Sequence, residues 1–234
     1  MNTRPTNIML FAICLTLLII GPALLSRPSS FYPSMHWGDV LDLLTPLVMI
    51  PLYWHLFTSG GRVAPGRTAS LAFMILAAVW VEGQGMHLAA NSIGNLMGEG
   101  AGAVQSLVHF YDEVLSHYIW HAGLLSLSVL LLLQTGRAEL SGAKVSWAWV
   151  APAGVLYGLT MFLAIDEGAT VPMGLPAVVL LALGLLLFGR PRLWGDNLQA
   201  FFLLGYGLTS LLFGAWFAAW GYFPEIMDVM KLIR

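Results

Sequence analysis

Apolar stretches of membrane-spanning length recur from residue 8 to residue 223, with only short polar breaks between them. A helix needs about 20 mostly apolar residues to cross the hydrocarbon core of a bilayer, and few other structures can absorb such a pattern. An ordinary soluble domain carries roughly 25% charged residues. This chain carries 9%, against 58% hydrophobic. The chain therefore reads as an all-α, polytopic integral membrane protein.

Breaks at Gly, Pro and Arg clusters delimit seven spans, at roughly 8–25, 37–57, 69–96, 105–134, 146–166, 172–189 and 198–223. The expectation is a seven-helix transmembrane bundle forming one domain over residues 1–234. Arg4 before an apolar run also fits a cleaved signal peptide, but Ala23-Leu24-Leu25-Ser26 is a poor small-residue cleavage site. A retained first span is the expectation.

Lys and Arg on alternating sides set the predicted orientation. Arg4, Arg62, Arg67, Arg137, Lys144, Arg190 and Arg192 fall on the side of the N-terminus, against Arg27, Lys231 and Arg234 on the other, a count of seven to three. That predicts a cytoplasmic N-terminus and an outer C-terminus, in a plasma or inner membrane. A formal charge of -2 with no basic run argues against nucleic acid as a partner. Cys14 is the single cysteine, which excludes intrachain disulfides and multi-thiolate metal sites.

Ionisable residues inside spans are informative, because a charge at a helix centre costs about 2.5–3.5 kcal/mol on insertion scales. They cluster at one end of the bundle. The second span opens with His36, Asp39 and Asp42, the third closes with Glu82, Gln84, His87, Asn91 and Asn95, and the fifth ends at Asp166 and Glu167. The fourth opens with His109, Asp112, Glu113, Ser116, His117 and His121. At about 100° per residue, the polar side chains of the fourth span form one stripe. His55, near the inner end of the second span, stands apart.

His117 and His121 have the HxxxH spacing that lets one helix offer two metal ligands. The short link between the third and fourth spans makes them antiparallel neighbours and brings His87 to a similar depth. These three histidines are the candidate ligands of a divalent metal, zinc first and iron or copper next. The bland reading is interhelical hydrogen bonding by polar side chains. Glu113, one turn before His117 on the predicted stripe, is the preferred general base, with Asp112 and Glu82 as further acidic candidates. Glu82 falls about 140° around a regular helix from His87. Asp39 and Asp42 suit a helix N-terminus, and Asp166 and Glu167 precede the loop marked by Gly168 and Pro172.

Seven spans with one His on one helix, an HxxxH pair on another and intramembrane carboxyls resemble the superfamily of alkaline ceramidases and progestin-receptor-type membrane proteins. Those are seven-helix intramembrane zinc proteins, several of them lipid amide hydrolases. The residues that carry the resemblance are His87, His117 and His121, with Asp112 or Glu113 as acidic partner. In that superfamily the HxxxH pair lies on the last helix, whereas here it lies on the fourth and the seventh span has no His.

The functional expectation is a metal-dependent hydrolase acting on a lipid or amphiphile from the outer side. The alternatives are a copper or non-haem iron oxidoreductase using the same ligands, and a non-enzymatic transporter or haem b subunit. Lys144 and Lys231 are the only lysines and lie outside the spans, which leaves no attachment point for a buried retinal. Walker, GxSxG and HExxH motifs are absent.

Overall fold

The computed structural model describes residues 3–32, 35–59, 64–97, 102–136, 144–189 and 195–233. Its helices are α1 (Pro5–Ile20), α2 (Trp37–Ser59), α3 (Arg67–Met97), α4 (Ala103–His109), α5 (His117–Gly136), α6 (Trp147–Glu167), α7 (Val171–Phe188), α8 (Asn197–Trp220) and α9 (Ile226–Ile233). A π-helical segment, Phe110–Ser116, joins α4 to α5 into one long helix. Among the described residues the only β pairing is an isolated bridge between Pro28 and His36. The fold is all-α.

Six helices are long and apolar enough to cross a membrane: α2, α3, the α4–α5 unit, α6, α7 and α8. Their outward faces carry large exposed apolar side chains such as Leu47, Leu71, Leu180 and Leu211. Exposed apolar surface on that scale belongs in lipid rather than water. The expected first span differs. Gly21 and Pro22 end α1 after 16 residues, about 24 Å of helix, short of the roughly 30 Å hydrocarbon core. Ile8, Phe11, Ala12 and Leu15 are nevertheless fully buried, so α1 is an integral stave of the bundle, packed on α2 and α6. The amphipathic α9 follows α8 and has no counterpart among the expected spans.

Local chemistry explains the helix ends. Asp196 caps α8 by accepting from the backbone N–H groups of Leu198 and Gln199, both at 2.9 Å. Gly221 stops α8 with φ of 75°, a left-handed turn that a side chain resists. Pro5 and Pro172 lie in the first turns of α1 and α7, where a missing N–H costs nothing.

Deep in the bundle, Tyr53, Tyr157 and Tyr206 bring their hydroxyls together around Ser128. Tyr53 and Tyr157 lie 3.1 and 3.3 Å from Ser128 Oγ, and Tyr206 lies 3.0 Å from the Tyr157 hydroxyl. All four residues are fully buried. This polar knot joins α2, α5, α6 and α8, as interhelical hydrogen bonds do in membrane bundles. At the end of the bundle that holds the chain's start, Asn197 Nδ2 donates to the Thr3 carbonyl and Asn7 bonds His55. His55 thus sits at the opposite end from the polar cluster, as the sequence implies.

Of the cations used to predict orientation, Arg62, Arg137, Arg190, Arg192 and Arg234 lie outside the described residues.

Candidate functional site

A cavity of about 360 Å³ opens at the end of the bundle where α1, α3 and α6 finish and α2 begins. Its ionisable lining is His36, Asp39, Asp42, His87, His117 and Glu167. Residues from four stretches distant in sequence thus share one cavity.

The wall formed by α2 and α3 is a ladder of carboxylates held by amides. Asp39 Oδ1 accepts from Asn91 Nδ2 at 2.8 Å, and its Oδ2 accepts from the His36 backbone N–H at 2.7 Å. Asp42 Oδ1 accepts from Gln84 Nε2 at 3.2 Å, and Gln84 Oε1 in turn accepts from Trp80 Nε1 at 3.3 Å. Residues 84 and 91 lie two turns apart on α3, so one face of that helix serves both carboxylates. Asp39 and Asp42 are buried rather than solvated at a helix start. The helix dipole still favours them, but fixed donors from α3 replace the water that burial removes.

His87 stands between two acids. Its Nδ1 lies 2.8 Å from Asp112 Oδ1, a close contact in which the N–H does not point squarely at the oxygen. Its Nε2 lies 3.9 Å from Asp42 Oδ2. The ring of His117 follows at a centroid distance of 4.8 Å, and that of His121 lies 6.1 Å beyond His117. His121 is fully buried, and its Nδ1 is 2.6 Å from Thr170 Oγ1, at the turn into α7. Neither His121 Nε2 nor His117 Nδ1 has a hydrogen-bond partner among the described residues, although both are buried. Gly168 makes room for these rings, because a Cβ there would come within 2.8 Å of His121 Cε1 and 3.4 Å of His117 Nδ1.

The π segment redistributes the predicted stripe. A π-helix bonds i to i+5 and locally adds a residue to the turn, so a count at 100° per residue fails across Phe110–Ser116. Asp112 meets His87. The Ser116 hydroxyl donates to the Asp112 carbonyl within the segment. His109 is exposed. Glu113 keeps 44% of its side chain exposed and lies 3.9 Å from His117 Nδ1, outside the lining of the cavity.

The structure thus brings His87, His117, His121 and Asp112 together, with only His87 and His117 of these lining the cavity, and leaves Glu113 partly exposed beside His117. Glu82 is exposed on the outer face of α3 and is not part of the cavity wall. The 140° offset from His87 expected for a regular helix holds, since Glu82 and His87 lie within the unbroken α3. Asp42 and Gln84 belong to the site, and their signal was their place among the clustered polar ends. Thr170 had no signal, because its role comes only from the fold of the α6–α7 turn.

Two ligands of one zinc ion lie within about 4 Å of each other, since each sits roughly 2.0–2.1 Å from the metal. The three imidazoles converge more loosely. Among the described residues no group of three or more His, Cys, Asp or Glu side chains is arranged to hold a metal ion. The donor chemistry nonetheless suits one: three buried imidazole nitrogens, His87 Nδ1, His117 Nδ1 and His121 Nε2, lack hydrogen-bond partners, and His87 Nδ1 and His121 Nδ1 each lie close to an oxygen. No protein-family model, curated protein or solved structure matches the chain.

Proposed function

We propose that this integral membrane protein is a metal-dependent hydrolase of a lipid or other amphiphile, with its cavity open to the outer side. The observation that carries this reading is the pair of unpartnered, buried nitrogens His117 Nδ1 and His121 Nε2 beside His87. Leaving a polar atom buried and unbonded costs about 1–3 kcal/mol, and a ligand-binding role accounts for that cost. His87, His117 and His121 would hold the ion after their side chains rotate towards one another.

A divalent metal bound there supplies a Lewis acid and lowers the pKa of a coordinated water towards about 7. The chain's own residues do the rest. Thr170 would orient His121 through Nδ1, and Asp112, close to His87 Nδ1, would do the same for His87 once that ring turns to bond it, the outer-shell arrangement that fixes which nitrogen faces a metal. Asp42 is the acid best situated to take a proton, because it lines the cavity and its Oδ2 faces His87 while Gln84 holds its Oδ1. Glu113 is half outside and less suited to that task. Trp80, fully buried, donates to Gln84 and so fixes the amide that holds Asp42.

The test is hydrolysis by the protein purified in detergent, offered neutral long-chain amides and esters and followed by release of fatty acid. Activity abolished by a strong chelator and restored by zinc is the expected result. Activity that survives exhaustive metal removal overturns the metal-dependent reading, and so does a fully metal-loaded protein that cleaves none of these substrates.

A further inference from the structure

A second cavity of about 380 Å³ lies between α2 and α3 on the outer surface of the bundle. Leu43, Leu47 and Ile50 form one wall, with Val81 and Leu88 opposite. Its head is different. Asp42 and Gln84, hydrogen-bonded to each other, line both this groove and the polar cavity. A membrane-facing apolar channel therefore meets the candidate site at one pair of residues.

We propose that the groove seats one unbranched acyl chain of a membrane amphiphile, whose polar linkage lies at Asp42 and enters the site sideways from the bilayer. This rests on the hydrolase reading for what happens at the linkage, but the seat itself stands on geometry. Leu43 and Leu47 are 51% and 65% exposed, so the groove is open towards lipid. From Asp42 to Pro51, α2 advances nine residues, about 13 Å at 1.5 Å per residue. That is close to half of the roughly 30 Å hydrocarbon core. The groove's length thus matches the depth of one leaflet, which is the reach of one acyl chain. A chain entering from the aqueous cavity would have to cross the amide-bonded carboxylates first.

Gly85 forms part of the groove, and a Cβ built there meets nothing within 4 Å. A side chain added at this position starts in open space within the groove, and replacing glycine inside a helix favours the fold.

The experiment uses the full chain in lipid nanodiscs with a hexadecylglycerol ether probe, which the proposed hydrolase cannot cleave, carrying a diazirine near the end of its chain. Its neutral head avoids repulsion by Asp42. The expected result is labelling concentrated on α2 and α3, competed away by unlabelled hexadecylglycerol ether and reduced several-fold in Gly85→Leu, while His117→Ala labels like the wild type. Labelling spread evenly over all lipid-facing helices, or labelling indifferent to competitor and to Gly85→Leu, overturns the proposal. Because photolabelling needs no turnover, loss of hydrolysis with labelling intact counts against the hydrolase reading alone.

Discussion

Gly83 of α3 lies so close to Trp120 of α5 that a Cβ on the glycine would fall 2.5 Å from the Trp120 backbone nitrogen. Gly123 repeats the contact one turn further along, where a Cβ would fall 2.8 Å from the Trp80 backbone nitrogen. Two glycines thus let the backbones of α3 and α5 touch, as small residues do in membrane helix pairs. That approach sets His87 beside His117, at a ring separation of 4.8 Å.

Gly83→Val should therefore push the helices apart and open the histidine cluster. Overpacking of this kind costs about 1–3 kcal/mol, so the variant should melt at a lower temperature and lose activity. Gly85→Ala, with open space around its Cβ, is the control and should melt no lower than the wild type. Equal stability and activity of Gly83→Val and the wild type would show that the close approach is not required.

Asp112 and Thr170 are assigned to orientation, each against one histidine nitrogen. Outer-shell partners of metal-ligating histidines are typically worth about 10–100-fold in metal affinity or activity. Asp112→Ala and Thr170→Val should each weaken metal binding in that range, measured by competition with a chelator of known affinity, and Thr170→Ser should restore it. If Thr170→Ser is as impaired as Thr170→Val, the hydroxyl is not the relevant group.

The three acids near the histidines should separate by function. Asp42→Asn is expected to retain metal and fold but to lose about 10²–10⁴-fold in rate, the usual worth of a general base. Glu113→Gln should lose much less, because its carboxylate is at the margin of the site, and Glu82→Gln should behave as wild type because Glu82 faces outward. The opposite ranking, with Glu113→Gln inactive and Asp42→Asn active, would return the base role to Glu113.

The seven-to-three count of Lys and Arg predicts that the cavity opens on the outer side. A reporter fused after Arg234 should be active outside the cytoplasm. Activity confined to the cytoplasm would invert the bundle and put the cavity on the inner face.

Much of the architecture was legible in the sequence because membrane helices announce themselves by uniform hydropathy. The observed limits of α6, α7 and the start of α8 fall within a residue of those expected. The clustering of polar residues at one end was legible for the same reason, since each alternating span contributes its polar end to one side. α1 was overestimated because Ala23, Leu24 and Leu25 continue the apolar run after Gly21 and Pro22 have already ended the helix. The stripe on residues 109–121 failed because periodicity assumes a regular helix, and no residue type in Phe110–Ser116 marks a π turn. Asp42 looked like a helix-start carboxylate because its partner, Gln84, is contributed by another helix. Thr170 reaches His121 across 49 positions of sequence, a relation that only the packed turn creates.

The central claim is that His87, His117 and His121 hold a metal, and elemental analysis of the purified protein tests it most directly. The wild type should carry about one equivalent of a divalent metal per chain, as expected for a single three-histidine site. His121→Ala should lose that metal while remaining folded in detergent. A wild type free of metal after purification without chelator, and unable to take up zinc, iron or copper on titration, would contradict the account and leave the histidines as interhelical hydrogen-bonding groups.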